Sequence, residues 1–438
     1  MNKKISAAAV AASLFVTGYA FAQDAEIATW AGFRKGAASF TFDDGAPSHV
    51  SDAGPTFKKY GYKGTFNLVV NWNPNWSGFQ GLADEGHEIA SHSNSHGNNM
   101  SGEEASSKNS IKGKINQKDG IITVAYPNCN VPNESAVLQN YIVGRICNGS
   151  WKGQPDNMGK DGPSNWAQVP AIMTGSEGSI KSSNDFTSQM QKVVQSNGWV
   201  AFLTHGFQGK SNGSATYSPT DLNAIDGALK WAQQNDKDIW VAPMGFVAMY
   251  IKERKASKIE PQDGGAENTM SFKLTHSIAD NISKYDYPLS VRVKSDWEKV
   301  EVTQGDASLE SKVDGGYIYF DAVPNAGTII VKNANAVKPE SSSSAEPPAS
   351  SSSVEEPSSS TTALPVEAFV DSHIATFVDN NGYITVQNAQ GLNITVFNSL
   401  GSIVRTTKGI GCEQKIYKGA KGMYVVKIGN KAWSVNIK

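Results

Sequence analysis

The sequence predicts an α/β protein whose largest domain is a (β/α) barrel. Between Gly36 and Ile251, short apolar runs alternate with helical stretches, which is the pattern of a strand-helix repeat. Polar residues directly follow several of these runs, as Asp43 and Asp44 follow residues 37–42. Because the carboxyl ends of successive parallel strands share one face of a barrel, we expect these polar residues to line one pocket.

Length, charge and cysteine content bound the functional class. The chain has 438 residues, enough for two or three domains, and a formal net charge of −2 at pH 7. A near-neutral chain lacks a strong bias toward polyanions, so we expect no nucleic-acid partner. With three cysteines the protein is not a disulfide scaffold, and Cys129 and Cys147 either pair in an oxidising compartment or remain free.

The N-terminus has the features of a secretory signal. Lys3 and Lys4 precede an apolar stretch over residues 5–16, and Ala20-Phe21-Ala22 supplies the small-x-small sequence before a cleavage site. We therefore expect a secreted or cell-surface protein. No other segment approaches the roughly twenty apolar residues of a membrane span.

Composition divides the remainder of the chain. Strand-like runs such as Leu289–Val293 replace the strand-helix repeat after the barrel, and a stretch rich in Ser, Pro, Glu and Thr follows, which cannot bury enough apolar surface to fold. Beyond it, short strand-like runs alternate with Gly and Asn turns. The predicted divisions are a signal peptide (1–22), a catalytic barrel (23–256), a small β-sandwich (257–337), a Ser/Pro-rich linker (338–366) and a C-terminal β-module (367–438).

Two motifs indicate a metal site beside a base. Asp43 and Asp44 are adjacent carboxylates after an apolar run, and like charges held together resist joint ionisation unless a cation relieves them. His92 and His96 are four residues apart, and on a helical turn they would point the same way. Two histidines and one carboxylate form the three-ligand set of a catalytic metal with one open position.

The runs Thr41-Phe42-Asp43-Asp44-Gly45 and His92-Ser93-Asn94-Ser95-His96 resemble the motifs of polysaccharide deacetylases of carbohydrate esterase family four. The resemblance covers roughly residues 33–252 and implies a distorted, incomplete barrel of about seven strands. It implies that Asp43 is the catalytic base and that Asp44, His92 and His96 hold one divalent metal ion, with zinc or cobalt expected.

The resemblance also assigns the remaining catalytic groups. Leu203-Thr204-His205 matches the family's Leu-x-His motif, so His205 would protonate the leaving group or stabilise its developing charge, although a lone histidine that ends a strand is otherwise more often a core residue. By the same resemblance, the backbone N–H of Asn128 would bind the oxyanion.

The chain departs from the family in two places. Ala125-Tyr126-Pro127-Asn128 stands where many members have Arg-x-Pro-Tyr, so the arginine that pairs with the base is missing there. Arg145 is the best substitute, the alternative being a surface arginine. The family's Asp-x-x-Asp-Trp motif is also absent, with Asn165-Trp166 as its nearest relic.

Aromatic residues are candidates for substrate binding. Trp72 and Trp76 lie in the loop after the strand-like residues 64–70, where they either stack on sugar rings or pin the loop to its own domain. Tyr126 is a third candidate. His49 and His276 have no metal-like spacing, and we expect both to be exposed.

The C-terminal module has its own resemblance. Residues 391–438 look like the C-terminal sorting domains of proteins exported across bacterial outer membranes, which implies export machinery or the cell surface as a partner. The alternative is a generic β-module that binds carbohydrate or spaces the enzyme.

These features together predict a secreted, metal-dependent deacetylase of acetylated polysaccharide, with acetylxylan esterase as the favoured activity. One alternative is an N-deacetylase of chitin-like or peptidoglycan N-acetylglucosamine. Another is a non-catalytic cell-surface carbohydrate-binding protein, since a fold alone does not establish function. A metallopeptidase is disfavoured because the chain has no His-Glu-x-x-His run.

Overall fold

The structure is a computed structural model that describes residues 24–98, 100–131, 133–147, 156–262, 268–335 and seven strands between 375 and 437. The predicted signal peptide and linker lie outside these residues. The chain divides into two compact units, residues 1–341 and 342–438. Among the described residues, no helix combines the length and the apolar character that crossing a membrane requires.

The first unit begins with a short strand, and the barrel strands and helices follow in alternation. In chain order its first elements are β1 (Ala25–Ile27), β2 (Gly36–Phe42), α1 (Gly54–Tyr60), β3 (Thr65–Leu68), α2 (Trp76–Asp84), β4 (Glu88–Ser91), α3 (Glu104–Lys112), β5 (Thr123–Ala125), α4 (Glu134–Asn140), β6 (Val143–Arg145), β7 (Asn157–Met158), β8 (Ile172–Met173), α5 (Ser183–Ser196), β9 (Trp199–Thr204), α6 (Leu222–Gln234), β10 (Ile239–Val241) and α7 (Met244–Ala256).

Seven parallel strands form the body of the barrel, in the order β6-β5-β4-β3-β2-β9-β8. Strand β10 also pairs in parallel with the first half of β2, and β7 pairs antiparallel with β9. The predicted α/β fold class, a distorted barrel of about seven strands followed by small β-sheets, is confirmed.

An irregular segment joins the two edges of this sheet. Ile146, just after β6, donates its N–H to Val169 O at 2.9 Å, and Thr174 donates to Leu203 O of β9 at 2.9 Å. Residues 169–174 therefore link β6 to β9 without forming a regular strand along their whole length. This irregular closure explains why the barrel is distorted.

Aromatic packing fixes the centre of the barrel. All seven residues of β2 are buried, and the Phe40 ring lies 5.5 Å from Phe57 of α1, 5.6 Å from Phe186 of α5 and 5.0 Å from Phe202 of β9. Burying each large aromatic side chain contributes about 1.5–3 kcal/mol. This packing holds β2, which carries the two carboxylates, between neighbouring elements.

A β-sandwich follows α7 in the same unit. Its two antiparallel sheets have the orders β1-β13-β17-β16 and β11-β12-β18-β14-β15, so the N-terminal strand β1 belongs to the sandwich. Its further strands are β11 (Ser257–Pro261), β12 (Thr269–His276), β13 (Leu289–Lys294), β14 (Val300–Gln304), β15 (Ala307–Leu309), β16 (Ser311–Asp314), β17 (Tyr317–Ala322) and β18 (Thr328–Asn333). Alternate residues of these strands face the core.

The second unit contains two small antiparallel sheets, β19-β20-β23 and β22-β21-β24-β25. Its strands are β19 (Ala375–Val378), β20 (Tyr383–Gln387), β21 (Asn393–Asn398), β22 (Ile403–Lys408), β23 (Glu413–Lys418), β24 (Gly422–Ile428) and β25 (Lys431–Ile437). Apolar residues such as Ile394 and Val426 form its core.

The barrel and the sandwich share one hydrophobic core through α7. Tyr250 of α7 packs in a cluster with Phe272 and Val291 of the two sandwich sheets, and its hydroxyl donates to Ala28 O at 2.9 Å. Glu253 of α7 is fully buried at this interface, where its Oε1 accepts the Tyr287 N–H at 3.1 Å.

Glu253 should make the stability of this interface depend on pH. Burial raises the pKa of Glu253 to about 8, with Asp286 and Asp119 adding to the rise and Lys118 opposing it. The folded state therefore binds a proton that the unfolded chain releases at about pH 4.3. Because the folded state holds more protons between these values, stability should fall as pH rises from about 5 to 8.

We predict that Glu253→Gln removes this dependence while an amide oxygen still accepts the Tyr287 N–H. Relative to wild type, the variant should gain roughly 2–4 kcal/mol in its free energy of unfolding when the pH is raised from 5 to 9. Denaturant unfolding at pH 5, 7 and 9 measures this difference. Parallel stability profiles for the two proteins would contradict the prediction.

Candidate active site

The carboxyl ends of the barrel strands bring most of the predicted site residues to one cavity of about 700 Å³. Strands β2, β4, β5 and β9 each end immediately before one or two of these residues, as the barrel prediction requires. The predicted residues that line the cavity are Asp43, Asp44, Trp72, His92, His96, Tyr126, Asn128 and His205.

Asp44, His92 and His96 form a cluster suited to a metal ion. Asp44 Oδ1 lies 3.4 Å from Nε2 of His92 and 3.4 Å from Nε2 of His96, and the candidate ligand atoms all lie within 4.8 Å of one another. Asp44 Oδ1 is buried and has no hydrogen-bond partner among the described residues. A buried carboxylate oxygen without a donor fits coordination of a cation, because burying it unpaired is costly.

A second contact orients His92. Its Nδ1–H donates to the carbonyl of Ala125 at 2.8 Å, which leaves Nε2 as the lone-pair nitrogen that faces Asp44. Such a bond to the second ring nitrogen is the usual way in which a protein orients a metal-binding histidine.

The expectation that His92 and His96 lie on a helical turn is wrong. They lie in the loop after β4, where Ser93 (φ 69°) and His96 (φ 53°) adopt left-handed conformations. The Ser93 hydroxyl accepts the His96 N–H at 2.9 Å and closes this tight turn. The loop brings the two imidazoles together, with ring centroids 5.0 Å apart.

Asp43 is buried and held by two donors. Its Oδ1 accepts a hydrogen bond from the Asn67 amide at 2.8 Å, and its Oδ2 accepts one from the Arg145 guanidinium. The arginine side chain is itself buried. The contact required by the hypothesis that Arg145 replaces the missing arginine is therefore present, and the surface alternative does not hold.

The charge at Asp43 is stabilised despite its burial. Burial alone would raise the pKa of Asp43, but the Arg145 guanidinium, the nearby His92 and the Asn67 hydrogen bond hold it well below its ordinary range. Asp43 is therefore ionised at neutral pH. An ionised, oriented carboxylate next to a candidate metal site can accept a proton from water.

His205 lies at the end of β9 without a carboxylate partner. Its Nδ1 is buried and has no hydrogen-bond partner among the described residues, and Asn165, the relic of the family motif, instead accepts the Ala167 N–H at 2.9 Å. Burial lowers the pKa of His205, which outweighs the opposite effect of Asp43 and Asp44. His205 is thus a neutral imidazole in the cavity wall.

The expectation that His49 and His276 are exposed is wrong. His49 is fully buried beside Phe42, Phe66 and Phe207, and its Nε2–H donates to the His205 carbonyl at 2.9 Å. It therefore helps to fix the end of β9. His276 is half-buried in the sandwich, with its Nε2 2.9 Å from Tyr285 O.

A strained turn carries the predicted oxyanion donor. Asn128 (φ 52°, ψ 19°) and Cys129 (φ 58°) are both left-handed, a conformation that costs roughly 1–2 kcal/mol for each ordinary residue. Cys129 forms a disulfide with Cys147, with the Cα atoms 5.3 Å apart, so the pairing left open by the sequence is present. The bond links the Asn128 turn to the residue two positions beyond Arg145.

The predicted substrate-binding aromatic residues separate into two groups. Trp72 lies at the cavity wall and stacks on the His96 ring at 4.8 Å, and Tyr126 lines the cavity with its hydroxyl bonded to Ala167 O at 2.8 Å. Trp76 does not line the cavity. It begins α2, packs against the barrel core and donates its Nε1–H to Asn73 at 3.2 Å.

Sequence reasoning missed several residues of the cavity. Tyr217, in the loop after His205, lines the cavity and lies edge-on to the His205 ring at 5.4 Å. The length of the loop after a catalytic strand was the available signal. Asn67, the partner of Asp43, lies inside β3, and an asparagine in a buried strand was a second signal.

Residues 31–131 match the family model described as polysaccharide deacetylase. This match supports a polysaccharide deacetylase domain. It includes Asp43, Asp44, His92 and His96, whereas Arg145 and His205 lie outside it.

A curated gellan lyase from Bacillus sp is 25% identical over 331 residues, and the matched region covers 70% of this chain and 13% of that protein. The Xyl-CE4 domain of a multidomain xylanase from the hindgut metagenome of Trinervitermes trinervoides is 19% identical, with a TM-score of 0.32 over 47% of this chain and 87% of that one. The catalytic domain of a peptidoglycan N-acetylglucosamine deacetylase from Eubacterium rectale is 16% identical, with a TM-score of 0.30 over 48% of this chain and 88% of that one.

We predict that this site separates its metal ligands from the candidate base. Asp44→Ala, His92→Ala and His96→Ala should each lose the bound metal, because each removes one of three ligands. Asp43→Asn should retain it, because Asp43 contacts Arg145 and Asn67 instead. Elemental analysis after equilibration with zinc and dialysis measures retention. If Asp43→Asn lost metal like the other three variants, this division of roles would be wrong.

Proposed function

We propose that this protein is an exported, metal-dependent hydrolase that removes acetyl groups from polysaccharide, with O-acetylated xylan as its substrate. The observation that carries this proposal is the pairing in one cavity of an ionised, arginine-held carboxylate, Asp43, with the cluster of Asp44, His92 and His96. The match of residues 31–131 to the deacetylase family model supports the same reaction class.

The cluster formed by Asp44, His92 and His96 fits one divalent ion. Two imidazoles and one carboxylate suit zinc and cobalt, and the unpartnered Asp44 Oδ1 fits a ligand atom. When bound, such an ion would lower the pKa of water from 15.7 toward roughly 7 and polarise the acetyl carbonyl.

Asp43 is proposed as the general base. It would accept the proton of the attacking water, and a positioned base typically contributes about 10²- to 10⁴-fold to the rate. Arg145 and Asn67 occupy one bond at each carboxylate oxygen and so fix the direction of the remaining lone pairs. These two residues thereby keep the base ionised and oriented.

The remaining groups would serve the tetrahedral intermediate and the leaving group. The backbone N–H of Asn128 is the proposed donor to the oxyanion, where a single donor is worth about 3 kcal/mol. The Cys129–Cys147 disulfide holds the turn that presents this N–H. As a neutral imidazole, His205 would donate an N–H hydrogen bond to the departing sugar oxygen, and the proton that Asp43 takes from water would pass to that oxygen.

The environment of His205 favours an ester substrate over an amide. An alkoxide leaves more readily than an unprotonated amine anion, so ester hydrolysis depends less on a well-tuned acid. No carboxylate among the described residues contacts Nδ1 of His205 to raise its basicity, which fits the less demanding reaction. This supports the choice of O-acetylated over N-acetylated polysaccharide.

Two observations support export. The N-terminal sequence has the pattern of a secretory signal, and disulfides such as Cys129–Cys147 persist in oxidising compartments. We further propose that residues 367–438 act as a sorting module at the outer membrane or cell surface. The support for that role is the sequence resemblance of residues 391–438.

We predict that the wild-type protein releases acetate from acetylated xylan at least about tenfold faster than from N-acetylglucosamine oligomers or peptidoglycan at equal acetyl concentration. Asp43→Asn, the matched control, should lose about 10²- to 10⁴-fold in rate while it retains metal. Acetate release measured on this panel tests the proposal. Preference for the amide substrates would make the protein an N-deacetylase, and metal-loaded protein that releases no acetate would make it a binding protein.

We predict that Arg145→Met lowers turnover by at least about tenfold without loss of metal, because Asp43 loses its charged partner. Methionine fills much of the same buried volume, which limits the effect on folding. Arg145→Lys should recover part of the rate, since it restores a charge but not the guanidinium geometry. The rates of the two variants are compared on acetylated xylan. A full rate for Arg145→Met would exclude this role for Arg145.

A further inference from the structure

The loop between β9 and α6, residues 206–220, forms part of the cavity rim. Ser214, Thr216 and Tyr217 of this loop line the cavity. Hydroxyl groups and one aromatic ring therefore face the same space as the catalytic carboxylates. The reaction proposed above uses none of these three side chains.

The loop is held by its own hydrogen bonds. The Asn212 carboxamide oxygen accepts the Phe207 N–H and the Ser48 hydroxyl, each at 2.8 Å, and its amide donates to Phe207 O at 2.8 Å. The Gly206 N–H donates to Ala215 O at 3.0 Å, and a Cβ at Gly206 would lie 2.5 Å from that oxygen. These hydrogen bonds fix the path of the loop at the rim.

Trp72 and Tyr217 are the exposed aromatic residues at this cavity. Their side chains are 36% and 56% exposed, and each contacts a different catalytic imidazole. Trp72 stacks on His96 at 4.8 Å, and Tyr217 lies edge-on to His205 at 5.4 Å. The two rings therefore flank the cavity on its metal side and on its leaving-group side.

We propose that Trp72 and Tyr217 form a binding subsite for the pyranose ring that carries the acetyl group, an inference that rests on the proposed function. A pyranose ring has C–H faces that pack on aromatic rings and hydroxyl groups that need hydrogen bonds. Amphipathic aromatic side chains meet the first need, and the hydroxyls of Ser214 and Thr216 meet the second. Tyr217 is therefore a specificity-determining residue.

This subsite should affect polysaccharide substrates more than small esters that carry no sugar. The sugar contacts both rings, whereas a small ester such as 4-nitrophenyl acetate offers the acetyl group without a sugar. Loss of either ring should therefore weaken binding of oligosaccharide more than it weakens reaction of the small ester. Because 4-nitrophenolate leaves without help, a disturbance of His205 would also lower the rate on xylan more than on the small ester, but it would leave the Kd for oligosaccharide unchanged.

The test uses the full-length protein with the variants Trp72→Ala, Tyr217→Ala and Tyr217→Phe. Tyr217→Phe keeps the ring. Leu138→Ala is the matched control, because Leu138 is 38% exposed and lies outside the cavity. KM and kcat are measured on acetylated xylan and on 4-nitrophenyl acetate. The Kd for an acetylated xylo-oligosaccharide is measured by calorimetry, with each variant also carrying Asp43→Asn to prevent turnover.

Trp72→Ala and Tyr217→Ala should each raise the Kd and the KM for xylan by about threefold to tenfold. The ratio of kcat/KM on xylan to that on the small ester should fall to a similar extent. Tyr217→Phe, which keeps the ring, should raise the Kd less than Tyr217→Ala does, and Leu138→Ala should resemble wild type. An unchanged Kd in Tyr217→Ala, or an equal loss on both substrates, would overturn the proposal.

The calorimetry separates this inference from the proposed function. If the wild-type protein released no acetate from any substrate, the proposed hydrolase would be excluded, while the Kd values would still test the aromatic subsite. If the Asp43→Asn protein bound no oligosaccharide, the subsite itself would be excluded.

Discussion

Asp43 and Asp44 directly follow the same buried strand, and two neighbouring carboxylates resist joint ionisation unless cations relieve them. Asp43 takes the Arg145 guanidinium, and Asp44 faces the imidazoles of His92 and His96. The two carboxylates therefore have different partners, which separates the roles that we expect of them. The architecture of the site follows from this constraint on charge.

The parallel strands of the barrel place residues that are distant in sequence at one edge, where each carboxylate can meet its partner. Arg145 is 102 residues from Asp43 in sequence, yet β6 brings it into contact with that carboxylate. The backbone between strands is strained where this edge is built, since Asp44 (φ 77°), His96 (φ 53°) and Asn128 (φ 52°) are all left-handed. Such conformations cost about 1–3 kcal/mol each and persist where the surrounding structure holds them, as β2 packing and the disulfide do here.

A feature of the site could be predicted from the sequence when the residues that determine it lie close together in the chain. The adjacent Asp43 and Asp44 and the paired His92 and His96 are short motifs, so their clustering could be predicted. The conformation of the second motif could not, because the serine-capped turn at His96 replaces the helix that its spacing suggests. Arg145 could be proposed only because Ala125 stands where many family members have the arginine that pairs with the base.

The environment of His49 shows where prediction from sequence ends. Its ring lies among Phe42, Phe66 and Phe207, which come from three separate segments, so its burial depends on tertiary packing that no local pattern records. Tyr217 escaped prediction for the same reason, because its contact with His205 depends on a loop fixed by Asn212.

Strand β4 shows why a buried carboxyl group is not by itself a sign of catalysis. Glu88 begins this strand, at the end of the barrel opposite His92, and accepts hydrogen bonds from Thr65 (2.8 Å), Thr123 (2.6 Å) and the Gly245 N–H (2.9 Å). These donors are neutral, so burial raises the pKa of Glu88, whereas a guanidinium lowers the pKa of Asp43. Glu88 therefore ties β3, β4, β5 and α7 together, while Asp43 keeps the charge that a base requires. The charge of the partner, more than burial, separates this stabilising carboxyl group from the candidate base.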